Sequence, residues 1–91
     1  MRWRVTLDPD AIRDFDDLDG SVQKRVSKFL YERVANLEDP RSIGEALRGS
    51  TFGDYWKYRV GDYRLVARIL DRVVEVIIVR VGHRREVYRR R

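Results

Sequence analysis

Cysteine is absent from the 91 residues. That excludes disulfides and thiolate metal sites and leaves the redox compartment open. Histidine occurs once, as His83, too few for a zinc site built on imidazoles, and no cofactor is expected. No serine stands beside the histidine, so a Ser-His hydrolase arrangement has no support. No apolar run approaches the roughly 20 residues that a membrane-spanning helix needs. Met1-Arg2-Trp3-Arg4-Val5 lacks the apolar stretch of a signal peptide. The expectation is a cytoplasmic protein with no membrane contact. Hydrophobic residues make up 43% of the chain and recur along nearly all of it, which excludes disorder and predicts a single domain over residues 1–91, with a short basic C-terminal tail.

Acidic residues are scarce in the second part of the chain. Residues 1–54 carry nine Lys/Arg against eleven Asp/Glu, whereas residues 55–91 carry eleven against four. A basic half on a small domain is an electrostatic footprint for phosphate, and nucleic acid is its commonest source.

Trp3, Val5 and Leu7 alternate with polar residues, which predicts a half-buried strand. Asp8-Pro9 then starts a helix, Asp8 as N-cap and Pro9 in the first turn. Ala11, Ile12, Phe15 and Leu18 recur at helical spacing. Asp19-Gly20-Ser21 breaks this helix and caps a second one, whose stripe is Val22, Val26, Phe29, Leu30, Val34 and Leu37. Residues 40–54 read as an irregular connection. From Tyr55 the period becomes two. Gly61-Asp62 and Asp71-Arg72 are the turns of two hairpins, with strands over Tyr55–Val60, Tyr63–Leu70 and Val73–Val81. The predicted order is β-α-α-β-β-β: an α+β fold with a helical hairpin on a mainly antiparallel four-stranded sheet.

The first hairpin fixes a register. With Gly61-Asp62 as its loop, Arg59 faces Arg64 and Lys57 faces Val66, so Lys57, Arg59 and Arg64 share one face. Trp56, Tyr58, Val60, Tyr63, Leu65, Ala67 and Ile69 take the other, with Val74, Val76 and Ile78 from the last strand. Like charges directly across strands destabilise a sheet. An anion that visits the cluster explains it, and Arg forks suit phosphate oxygens. Arg68 is expected to face Glu75 as an ordinary surface pair. The tail adds His83, Arg84, Arg85, Tyr88 and Arg89, whose cations can clamp phosphate and whose rings can stack on an unpaired base. Arg90 and Arg91 read as a solvated end. Cations with a phenol suit metal-free RNA cleavage, in which the ribose 2′-hydroxyl attacks its own phosphate and the cations stabilise the phosphorane.

Leu47-Arg48-Gly49, Trp56 to Leu65 and Val79 to Tyr88 together resemble the RelE toxins of the RelE/ParE superfamily, over essentially the whole chain. The resemblance implies a type II toxin–antitoxin system and an endoribonuclease that cuts messenger RNA in the ribosomal A site. It implies a cognate RelB-like antitoxin, with operator DNA bound only through the toxin–antitoxin complex. By the same resemblance Lys57, Arg59, Arg64, Arg84, Arg85 and Tyr88 form the catalytic set; Arg68, His83 and Arg89 are expected beside them to assist RNA binding. Arg64 would hold the scissile phosphate, Arg84 or Arg85 the transition state, and Tyr88 the substrate base. Arg59 stands where the family has a second lysine, and arginine stays protonated. The general base is therefore Lys57, His83 or Tyr88. The alternatives are a ParE-like toxin that poisons gyrase and an inactive module that only binds antitoxin.

Overall fold

The computed structural model describes residues 2–47 and 55–83. Strand β1 spans Arg4–Leu7, helix α1 Pro9–Asp16 and helix α2 Gly20–Lys28. Strands β2 (Glu45–Ala46), β3 (Trp56–Val60), β4 (Tyr63–Leu70) and β5 (Glu75–His83) follow. The sheet has five strands in the order β1-β5-β4-β3-β2. This corrects the expected count of four: Glu45 and Ala46 pair antiparallel with Lys57 and Trp56, inside the segment that reads as irregular. Two residues carry no alternation, so no sequence pattern announces them. β1 runs parallel to β5, and the remaining pairs are antiparallel.

α1 starts where Asp8 accepts a hydrogen bond from the Ala11 N–H at 3.0 Å, with Pro9 in its first turn. Ala11 is buried, whereas Ile12 is 48% exposed, which corrects its assignment to the apolar stripe. Ile12 sits about 100° round the helix from Ala11, off the face that Ala11, Phe15 and Leu18 turn to the sheet. Asp19 holds the N-cap position of α2 but makes no side-chain capping bond.

Val22, Val26, Leu30 and Val34 repeat every four residues, and an α-helix of 3.6 residues per turn would rotate that stripe steadily off the sheet. The chain answers by widening. Phe29–Arg33 form a π-helical turn and Val34–Asn36 a 3-10 turn. The wider turn takes up an extra residue, and Val26, Leu30 and Val34 all stay buried.

The core lies between the helices and one face of the sheet. Tyr58, Leu65, Ala67, Val76, Ile78 and Val81 meet Val26, Leu30 and Val34 there. The buried Tyr58 hydroxyl donates to the Pro40 carbonyl at 2.6 Å, and burial pushes its pKa up to about 12. Trp3 and Arg2 donate their backbone N–H groups to the Ala35 carbonyl, and the Trp3 indole donates to the Glu38 carbonyl, which stitches the N-terminus to the end of the helical unit.

The second hairpin departs from the expected register. Its turn is a 3-10 turn at Asp71–Val73, and Val74 follows with φ of 53° in the left-handed region, strained for a β-branched residue. Val74 is therefore exposed rather than an inward strand residue, and β5 starts at Glu75. Arg68 faces Ile77 and not Glu75, which pairs with Leu70 and accepts a hydrogen bond from the Thr6 hydroxyl. Between Val66 and Ala67 the register skips one residue of β5, so Val79 is a bulge. A bulge reverses the in–out alternation beyond it. Val76 and Ile78 point to the core before it and Val81 after it, and Arg80 is turned to the opposite, open face.

Candidate RNA-cleavage face

The first hairpin has the register that its Gly61-Asp62 turn predicts. Arg59 lies opposite Arg64, Lys57 opposite Val66, and Gly61 adopts a φ of +60°. Lys57, Arg59 and Arg64 therefore share the open face, with Arg68 further along β4. β5 contributes Arg80 beside Val66 and Gly82 beside Arg64. Gly82 adds no side chain, so the row of Arg59 and Arg64 ends on bare backbone. Val66 is fully buried although it lies on this face, outside the helix-side core.

The cations differ in what holds them. The Arg80 guanidinium donates through Nε and Nη2 to the Asp14 carboxylate at 2.7 and 3.3 Å. The same carboxylate accepts the Val81 backbone N–H at 2.9 Å. β1 ends opposite Ile78, so Asp14 of α1 satisfies the β5 edge where the parallel strand has stopped. Lys57 makes an ion pair with Glu45 at 3.2 Å. Its hydrogen bond to Lys57, with the charges of Arg59 and Arg64 behind it, holds the Glu45 carboxyl below the usual carboxylate range. Arg59 and Arg64 form no ion pair with another described residue. They stand opposed across the strands, where Cβ atoms are typically about 5 Å apart, with positive charge to spare.

Glu45 is the member of this face that sequence reasoning missed. It lies on a two-residue strand whose pairing with β3 is long-range, and no local signal would have found it. Arg80 was also missed, because a strictly alternating β5 turns it to the core. His83 pairs with Tyr63 and their rings meet edge to face at 5.6 Å. Tyr63 alternates with Arg64, so His83 leaves the sheet on the face opposite Arg64, at its end. Arg84, Arg85, Tyr88 and Arg89 lie outside the described residues. Among the described residues, no three His, Cys, Asp or Glu side chains are grouped to hold a metal ion, and no helix is long and apolar enough to cross a membrane.

Residues 5–88 match the family model of the ParE toxin of type II toxin–antitoxin systems. The chain belongs to this toxin family. It is 33% identical to toxin RelG of Mycobacterium tuberculosis, over 99% of this chain and 100% of that one. It is also 33% identical to the mRNA interferase toxin RelE of Escherichia coli, over 97% and 92%. The toxin–antitoxin complex RelBE2 of M. tuberculosis contains a chain of the same fold, with a TM-score of 0.82 at 29% identity, covering 91% of this chain and 92% of that one. The shared fold is two helices packed on one face of a five-stranded, mostly antiparallel sheet.

Proposed function

We propose that this chain is the toxin of a type II toxin–antitoxin pair, an endoribonuclease that cuts messenger RNA in the ribosomal A site and so arrests translation in the cytoplasm. The observation that carries the reading is the Arg59–Arg64 opposition, with Lys57 on the same face. Two guanidinium groups set against each other, neither ion-paired to a carboxylate among the described residues, destabilise the sheet, and an RNA phosphate between them reverses that cost. The named relatives RelG and RelE point the same way.

In this reading Arg64 holds the scissile phosphate and Arg59 takes up charge as the phosphorane forms; fixed charges aimed at a developing anion commonly contribute 10²–10³ in rate. The ribosome supplies the in-line geometry of the 2′-oxygen, since orientation is a large share of the barrier. Arg84 or Arg85 would support the leaving group and Tyr88 would stack on the substrate base. Arg68 and Arg89 would track the RNA backbone. The proton acceptor is Lys57 (once it has lost its own proton), Tyr88, or His83, whose ring lies on the face opposite Arg64. A RelB-like antitoxin would neutralise the cationic face, and the pair together would bind operator DNA.

The test is a reconstituted translation reaction with a defined message. Cuts in the A-site codon that disappear in Arg64→Ala support the reading, as does relief of growth arrest by Arg64→Ala and Tyr88→Phe. The family model carries the ParE description, so the same protein should also be tried on gyrase. DNA breaks that need gyrase, with an intact message, would replace this proposal by the gyrase-poisoning one.

A further inference from the structure

We propose that Glu45 is an internal competitor for RNA: in the free protein its carboxylate holds the position at Lys57 that a phosphate oxygen takes when RNA binds, which keeps affinity for free RNA low. This rests on the open face being the RNA face.

A carboxylate and a phosphodiester offer an ammonium group the same kind of anionic oxygen. Glu45 reaches Lys57 at 3.2 Å from the neighbouring strand, and the two side chains are unequally placed, 63% exposed for Glu45 and 23% for Lys57. The carboxylate is thus the more solvent-open member of the pair, within reach of an incoming phosphate. The Asp14–Arg80 pair shows what a permanent partner looks like on the same sheet. Asp14 is 13% exposed and also accepts the Val81 N–H. Glu45 has no second hydrogen-bond anchor for its side chain among the described residues, and its strand is only two residues long. An exposed pair of this kind is weak, so a phosphate can exchange with it. Exchange removes from each RNA molecule part of the attraction that Lys57 would otherwise give. RNA held in place by the ribosome, at high effective concentration, is penalised less in practice than RNA free in solution.

The experiment measures binding of the full chain to a single-stranded 2′-O-methyl oligoribonucleotide, which cannot be cut by 2′-hydroxyl attack, by fluorescence anisotropy across a salt series. Glu45→Gln should tighten binding roughly two- to fivefold. It should also steepen the dependence of log K on log salt by up to about 0.7, the contribution of one further phosphate contact on a single strand. Glu45→Thr, which keeps a strand-forming residue, should act in the same direction. Glu32→Gln removes the same charge from exposed α2-side surface and should leave binding within about 1.5-fold, since an isolated surface charge is largely screened. In a Lys57→Met background the effect of Glu45→Gln should fall to a minor remainder, carried by the charges of Arg59 and Arg64. Unchanged or weaker binding by the Glu45 variants, equal tightening by Glu32→Gln, or a Glu45 effect undiminished by Lys57→Met would each overturn the proposal. Binding that Arg64→Ala weakens and Glu45→Gln leaves alone removes Glu45 only. A wild-type chain that binds no RNA even at low salt removes the parent reading with it.

Discussion

Arg80 and Arg64 stand on neighbouring strands of one sheet face, a row apart, and their surroundings differ in kind. Arg80 is given its anion by the fold: Asp14 on α1 binds it through two nitrogens and caps the β5 edge as well. Arg64 is given another arginine. The same side chain is thus a fastener in one place and, among the described residues, a cation without an ion pair in the other, and what separates them is whether a carboxylate arrives from elsewhere in the chain. Lys57, with its exposed Glu45, lies between these extremes.

Four substitutions can break or sharpen this contrast. The largest effect should be on cleavage: Arg64→Ala is expected to lower the single-turnover rate on programmed ribosomes by about 10²–10³. The same variant should leave folding stability equal or raise it by a few tenths of a kcal/mol, because a like-charge opposition is lost. A large loss of stability in Arg64→Ala would mean that it too is a fastener. Next is Asp14→Ala, which strands the Arg80 guanidinium and the Val81 N–H together. Chemical denaturation should show a loss of about 2–4 kcal/mol, and a value under 1 would contradict the fastening role. Tyr58→Phe removes the buried bond to Pro40 and should cost about 1 kcal/mol.

Tyr58 also predicts a pH effect. Its folded pKa of about 12 lies above the ordinary tyrosine value, so the neutral phenol is favoured by folding. The stability it contributes is complete below about pH 10 and is lost as pH rises towards 12. In Tyr58→Phe the decline over that window should be shallower. Smallest should be Arg41→Gln, which opens the exposed Arg41–Asp71 pair at 2.7 Å and should move the denaturation midpoint less than Tyr58→Phe does.

The placement of Lys57, Arg59 and Arg64 on one face was legible because its information is local. Gly61-Asp62 sets the hairpin, the hairpin sets the Arg59–Arg64 register, and alternation puts Lys57 with them. Glu45 and Arg80 were not legible, since one depends on a two-residue strand finding β3 and the other on a bulge at Val79 that no residue type marks. Arg68 was placed on the right face but against the wrong partner, because the same bulge and the 3-10 turn at Asp71–Val73 shift the second hairpin.

The sequence by itself determined the order of the elements other than β2, the cap and first turn of α1, the first hairpin and the sidedness of its cations, because turn chemistry and side-chain period act over a few residues. Only the tertiary structure decided that β1 lies parallel beside β5, that Glu45 joins the edge and meets Lys57, and that Asp14 takes Arg80 out of the pool of open cations. Those contacts join residues far apart in the chain, and their energies exist only once the sheet has closed around its core.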